Sequence, residues 1–477
     1  MLKNLFMKTP KYFIYLLLIS AVAVGCNVSK DVSVPRTATP VIYRGSMSDD
    51  SSSIAALPVK EFIREPDIQR LIDTALIRNF DLQLAVKNIE AAEQLFKQSR
   101  LGNLPVMNLQ ITANSNRPSD NSLSGLSTSQ FLGTKHLEDF NASLGLSWEA
   151  DIWGKIKNQQ KSALAAYLQT AEARKALQTR IVAQVAQGFY QLLMMDAQME
   201  VAKRNLKWSD STLRIIKMQY DVGQVTSLAI QQAEAQQLVA AQLIPQLEQG
   251  ITIQENALSI LTGKVPAAID RQSSLDQVRT PVTLAAGFPA AMVSARPDVR
   301  SAELALNIAN AEVGIAKANL YPTLSITASG GLNSLKASDW FNIPASLFGV
   351  VAGGITQPIF QRKQLKTQYE LSKIDRDMVV IQFRQAVLNA TGEVSDELVK
   401  IEKLQQQYEI SLQRVTTLQQ AVKNSNLLFK NGMATYLEVI TAQSNSLQSE
   451  LALASIKTSQ LIAAVELYRA LGGGVSL

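Results

Sequence analysis

The chain has 477 residues, 46 Lys and Arg against 40 Asp and Glu, and a formal net charge of +6, with only 18% of its residues charged. No basic stripe interleaved with aromatics accompanies that small excess, which excludes an electrostatic nucleic-acid binder. His136 is the sole histidine and Cys26 the sole cysteine, and there is no glycine-rich phosphate loop ending in Gly-Lys-Ser/Thr, so zinc clusters, His-dependent triads and nucleotide hydrolysis are excluded and no enzyme, cofactor or metal is expected.

The chain opens with Lys3, Lys8 and Lys11, followed by an apolar core from Tyr12 to Val24. About 13 residues suit a signal peptide and are too few to span a bilayer as a helix. The core ends at Ala23-Val24-Gly25-Cys26, which resembles a bacterial lipobox. That resemblance implies removal of residues 1–25, a diacylglycerol on the Cys26 sulfur and a fatty acid on the new N-terminus. Exported chains usually carry cysteines in even numbers, so a lone cysteine here favours lipid. Several acyl chains, at about 0.8 kcal/mol per buried CH₂, make a stable anchor. Asn27 follows where Asp would retain the protein at the inner membrane in the enteric sorting scheme, so outer-membrane delivery is expected. No later run of 18 apolar residues exists, and no transmembrane helix is expected.

Residues 26–65 contain Pro35, Pro40 and Pro58 without any period and are expected to form an extended strap. Pro66-Asp67 then opens a helix expected to run to about Leu101, with apolar residues at three-and-four spacing. Pro105 to Asn114 alternates with period two, Met107, Leu109, Ile111 and Ala113 against Asn108, Gln110, Thr112 and Asn114; Phe140 to Trp148 does the same. Each is the length a tilted strand needs to cross a bilayer. The segment between them, about Ser115 to Asp139, is expected to be a loop. Lys155 to about Asp221 holds no Pro and few Gly, predicting one helix of roughly 100 Å. A helix of that length must be a coiled coil or the stave of a helical tube. It ends at Gly223, where a left-handed residue turns the chain, and a shorter helix returns from about Thr226 to Leu261. Pro245 is expected to kink or break that helix.

The same order then recurs. Pro297-Asp298 opens a helix through Leu320; strands follow at Thr323 to Ser329 and Leu347 to Thr356, joined by a loop over about Asn333 to Ser346. A long helix is expected from Gln361 to about Lys430, a turn at Gly432, and a return helix from Thr435 to Leu471. Gly223 and Gly432, Leu228 and Leu437, and Ala233 and Ala442 are each separated by 209 residues. Asp151-Ile-Trp-Gly-Lys155 is answered by Pro358-Ile-Phe-Gln-Arg362, and Leu261-Thr-Gly263 by Leu471-Gly-Gly473. Two repeats are therefore expected, over 66–265 and 296–477, with a linker over 266–295. Repetition on this scale suits a symmetric ring or tube rather than a solenoid.

The order short helix, two strands, long helix, turn, short helix, given twice, resembles the TolC/OprM family of outer-membrane efflux proteins. It is most similar to the lipoprotein branch that serves RND-type multidrug pumps. The motifs that carry the resemblance are Arg296-Pro-Asp-Val-Arg300, Leu320-Tyr-Pro322, and the Gly432 turn followed by Thr435-Tyr-Leu-Glu-Val-Ile-Thr-Ala-Gln443. The resemblance implies a mainly α fold with a transmembrane β part. Three protomers would give four strands each to a 12-stranded barrel continuous with a periplasmic α-helical barrel. It implies a passive exit duct in the cell outer membrane, with a periplasmic adaptor and an inner-membrane pump as partners. It also implies a periplasmic gate at the helix-turn tips Gly223 and Gly432. Glu438 matches an acidic position of relatives and would form a cation-attracting ring. Thr441 stands where relatives often carry a second acid, and Phe429 where tyrosine is common. A type I secretion or metal-efflux duct is the alternative within transport; a pore-less periplasmic coiled-coil lipoprotein is the alternative outside it.

Overall fold

The computed structural model describes residues 53–279 and 295–475. Cys26, the signal peptide and most of the strap lie outside them. Among the described residues α-helices and strands follow in chain order: α1 (Val59–Phe62), α2 (Pro66–Arg78), α3 (Phe80–Arg100), β1 (Val106–Asn116), α4 (Leu123–Leu132), β2 (Leu137–Ala150), α5 (Lys155–Asp221), α6 (Ser227–Leu261), α7 (Pro297–Ala318), β3 (Thr323–Ser334), β4 (Leu347–Thr356), α8 (Gln364–Lys430) and α9 (Tyr436–Ala470). The two long helices have 67 residues each and the two return helices 35 each, so the repeat expected from spacing is kept in element length. The chain divides into two units.

The first unit holds the strands. β1, β2, β3 and β4 form one antiparallel sheet in chain order, with β1 and β4 as its edges. The register places Leu109 opposite Leu144, Leu144 opposite Gly330 and Ala328 opposite Val351. Two sequence motifs meet at the base of this sheet. Trp153 stacks on Tyr321 with ring centroids 4.8 Å apart, and its Nε1 donates to the Pro322 carbonyl at 2.7 Å. The Asp151 carboxylate accepts the backbone amides of Ile156 and Lys157, both at 2.9 Å, satisfying orphan donors at the start of α5. The second repeat has Pro358 in the matching place and no such acid. Arg362 and Lys363 there adopt left-handed φ values of 50° and 62°, and α8 begins at Gln364 instead of Gln361.

The second unit is packed around the middle of the long helices. Val182, Val185, Ala186, Phe189 and Leu193 of α5, Val394 and Leu398 of α8, and Leu461, Ala464, Val465 and Tyr468 of α9 form one buried cluster with Ile68, Ile72 and Ala75 of α2. Ile54, Val59, Phe62 and Ile63 belong to the same cluster. The described end of the strap is therefore core, not extended: Phe62 stacks on Tyr468 at 4.2 Å, and the Tyr468 hydroxyl donates to the Leu57 carbonyl at 2.6 Å. The described part of the linker also packs. Leu275 and Val278 are buried in this core, and Arg271 pairs with Asp196 at 2.6 Å and Glu255 at 2.5 Å.

Three further differences from the sequence reading have local causes. The helix expected from Pro66 to Leu101 is two helices. Asn79 leaves helical geometry between them, its Oδ1 accepts the Leu82 amide at 3.1 Å, and its Nδ2 donates to the Leu261 carbonyl at 2.8 Å. Pro245 does not break α6, which runs unbroken through it; the cost of an interior proline, about 3 kcal/mol, is outweighed by the rest of a 35-residue helix packed along its length. The loop between β1 and β2 contains α4, an uncharged helix capped by the Ser122 side chain on the Gly125 amide at 3.1 Å.

Candidate functional site: the sheet faces and the hairpin tips

Successive strand residues point to opposite faces, and the register aligns those faces across all four strands. One face carries Met107, Leu109 and Ile111, then Phe140, Leu144, Leu146 and Trp148, then Leu324, Ile326 and Ala328, and finally Leu347, Val351 and Ile355. Several of these are largely exposed, Val351 at 79% and Ile355 at 72%. An apolar face of this extent needs a surrounding other than water. Aromatics mark its two ends, as interfacial girdles do. At the loop end Trp340 lies 5.5 Å from Phe140 and 5.1 Å from Phe341. At the helix end the Trp148 Nε1 donates to the Asn103 carbonyl at 2.8 Å.

The other face is built mainly from amides and hydroxyls: Asn108, Gln110, Thr112, Asn114, Asn141, Ser143, Ser147, Ser325, Thr327 and Ser329. β4 departs from this, placing Phe348 and Val350 there. Two charges stand on this face, both on β2: Asp139 near the loops and Glu149 near the helices. Glu149 is paired with Lys155 at 3.0 Å.

The hairpin tips lie in the second unit. Gly223 and Gly432 have φ values of +76° and +70°, a region only glycine enters without strain. Each closes a six-to-one bond typical of a helix C-terminus: Gln224 N to Gln219 O and Met433 N to Leu428 O, both 2.8 Å. Thr226 and Thr435 then occupy the N-cap positions of the return helices, Thr226 without a side-chain capping bond. The structure brings Phe429, Gly432 and Glu438 to one tip, with different surroundings. Phe429 is buried with Leu213, Ile216, Ala229, Ala233 and Val439, so it is a packing residue of the tip. The Glu438 carboxylate is exposed. It accepts the Thr435 amide at 2.6 Å and completes a capping box with the Thr435 side chain. Thr441, one turn on, is exposed. Ala229, at the position matching Glu438 in the first repeat, is fully buried.

Two sites were not singled out by chemistry in the sequence. Gln443, only 1% exposed, donates from Nε2 to Thr212 Oγ1 at 3.0 Å, and its backbone carbonyl accepts from Asn205 Nδ2 at 3.3 Å. Arg204 and Glu450 pair beside them. This forms a polar seam between α5 and α9, legible in retrospect as small polar residues at helical spacing. Arg296, whose side chain is 4% exposed, donates to Asp298 at 2.6 Å, to Glu393 at 2.9 Å and to the Ala470 carbonyl at 2.8 Å. Burial pushes the Asp298 carboxyl up, but the Arg296 guanidinium more than offsets this and holds it below the ordinary value.

Among the described residues no group of three or more His, Cys, Asp or Glu could hold a metal, and no helix is long and apolar enough to cross a membrane. The family model for outer membrane efflux proteins matches residues 71–264 and 290–473. The chain is similar to the solvent efflux pump outer membrane protein SrpC of Pseudomonas putida, 29% identical over 95% of this chain and 96% of that one. It is similar to the cation efflux system protein CusC of Escherichia coli, 27% identical over 94% and 96%. Among solved structures it resembles the open state of the MtrE outer membrane channel of Neisseria gonorrhoeae. That likeness has a TM-score of 0.84 and 25% identity, and covers 94% of this chain and 99% of the other. With a long helix and an amphipathic strand pair each given twice, and a family match over most of its length, the chain belongs to the outer membrane efflux proteins and is an outer-membrane channel with a periplasmic helical extension.

Proposed function

We propose that three copies of the chain close into one passive exit duct for a tripartite efflux system, joined to a periplasmic adaptor and an inner-membrane RND-type pump. The observation that carries this reading is the sheet: one face is apolar along all four strands, and both edges are unpaired. A spanning sheet in lipid must close on itself, and four strands are too few to do so. Three copies supply twelve, with the apolar face toward lipid and the amide and hydroxyl face toward water. SrpC is named for solvents and CusC for cations, so within this fold the cargo follows the pump. The reading keeps repeats at 66–265 and 296–477 and a lipid on Cys26. Mass spectrometry of the mature N-terminal peptide should find Cys26 triacylated, and Cys26→Ala should leave the full-length leader uncleaved; an unmodified thiol would remove the anchor.

At the periplasmic end, Glu438, with Thr441 one turn along and Phe429 packed behind, forms the gate in this reading. Three Glu438 carboxylates, already ordered by the Thr435 amide, would draw cations to the constriction. Single-channel recording of the purified trimer in planar bilayers tests both levels. Glu438→Gln keeps an acceptor for Thr435 and removes the charge, so cation preference should fall while thermal stability holds. Glu438→Ala should lose the preference and also about 1 kcal/mol of stability from the cap. Cation selectivity unchanged in Glu438→Gln would leave Glu438 as a helix cap alone. A stable monomer without β signal in lipid would overturn the duct.

A further inference from the structure

We infer that Asp139 sets the fixed charge of the outer mouth, making the exit end of the duct a second charge filter, independent of the helical tips. The inference rests on the barrel reading above. The register puts Asp139 on the amide and hydroxyl face, opposite Asn114 and at the loop end of β2. Between it and Glu149 that face of β2 bears only Asn141, Ser143, Gly145 and Ser147. The two acids differ in one respect. Glu149 is answered by the Lys155 ammonium at 3.0 Å, so its charge is locally cancelled. Asp139 is held by a neutral donor, the Asn333 Nδ2 at 2.7 Å, and among the described residues no Lys or Arg pairs with it. Of the loop bases, Lys135 and Arg117 both face Asp120, at 3.1 and 3.9 Å, and Lys336, exposed in the loop after β3, forms no ion pair with Asp139. In a closed trimer, three Asp139 carboxylates would ring a wall that is otherwise almost free of charge, held in place by Asn333.

A ring of like charge concentrates counter-ions where low-dielectric walls confine the field. Cationic cargo leaving the duct would meet a local enrichment, and anionic solutes outside would be repelled. The external mouth would therefore discriminate by charge whichever way the periplasmic tip stands.

The test needs no current through the tip. A cysteine is placed at Asn114, the register partner of Asp139, in outer-membrane vesicles that carry the full chain. Its modification rates by cationic and anionic methanethiosulfonates of similar size are compared, with the ratio normalised to a free small thiol and corrected for chain lacking Asn114→Cys. The paired Asp139 carboxylate, about 5 Å away across the register, should at 0.1 M salt raise that ratio roughly five-fold. Asp139→Asn, which keeps an acceptor for Asn333, should return it to the small-thiol value. Glu149→Gln and Glu438→Gln should leave it raised. A ratio indifferent to Asp139→Asn overturns the proposal. A cysteine at Ile111 on the apolar face reports on the barrel separately: it should react with neither reagent. Reaction there as fast as at Asn114 would overturn the barrel reading, and the charge filter with it.

Discussion

Arg296→Ala is expected to lower the thermal midpoint of the detergent-solubilised protein by about 3 °C, corresponding to roughly 3 kcal/mol lost when the buried cation shared by two half-exposed carboxylates is removed from a chain of 477 residues. The guanidinium is nearly inaccessible and serves three groups from separate parts of the chain: Asp298 beside it, Glu393 on α8 and the Ala470 carbonyl at the end of α9. Deleting it takes a donor from an end-of-helix carbonyl and the shared cation from two half-exposed carboxylates, of which Glu393 keeps Arg469 at 3.6 Å. Arg300, four residues on, is 49% exposed and pairs only with Glu303 on its own helix; Arg300→Ala should cost less than 1 kcal/mol. Equal effects of the two substitutions would show that Arg296 holds nothing together. The pair also has a pH signature. Asp298 sits below the ordinary carboxyl value of 3.8 in the folded chain, so its contribution is present above that value and is lost as pH falls below it. Arg296→Ala should remove that acid-side loss along with the stability.

Leu144→Arg is expected to prevent assembly of a heat-resistant trimer. Leu144 lies in the middle of the apolar face, between Leu109 on β1 and Gly330 on β3. An arginine at the midplane of a membrane barrel costs about 2–4 kcal/mol, and a trimer carries that cost at three positions. Ser143, next along the same strand, points to the opposite face, so Ser143→Arg should assemble with little loss. The measurement is the fraction of chain that migrates as unheated trimer after refolding into lipid vesicles, with its urea midpoint. If both arginines are tolerated alike, the assignment of which face meets lipid is wrong.

These two sites differ in how far their roles could be read from the chain alone. The strand faces were legible because alternation is written in consecutive residues: Met107, Leu109 and Ile111 against Asn108, Gln110 and Thr112. The long helices were legible because nothing between Lys155 and Asp221 interrupts them, and the turns because Gly223 and Gly432 recur at a fixed offset. Features that depend on a partner distant in sequence were not legible. Phe429 is noticed in the sequence only for its place before Gly432; that Leu213 and Ile216 of the other hairpin share its buried cluster is written nowhere near it. The strap looks extended until Tyr468, more than 400 residues on, takes Phe62 and Leu57. Asn79 hides a helix break because the apolar period continues across it, and α4 hides because Leu123 to Leu132 offers neither charge nor clear period. Glu438 was read for its charge, whereas its most definite contact is local, the Thr435 amide three residues back.

A newly exported copy carries β1 and β4 with their outward amides and carbonyls unpaired, and in the proposed duct only other copies of the same chain satisfy them. Time spent alone is time available for wrong pairing, and it lengthens when copies arrive sparsely. The rate of maturation should therefore rise steeply with the local density of fresh chains, whereas a barrel sealed by a single chain would mature at the same pace however scarce it was. An acyl tether at Cys26 would act on this step. By confining copies to a surface it raises their effective concentration and makes an encounter of three frequent enough to outrun aggregation.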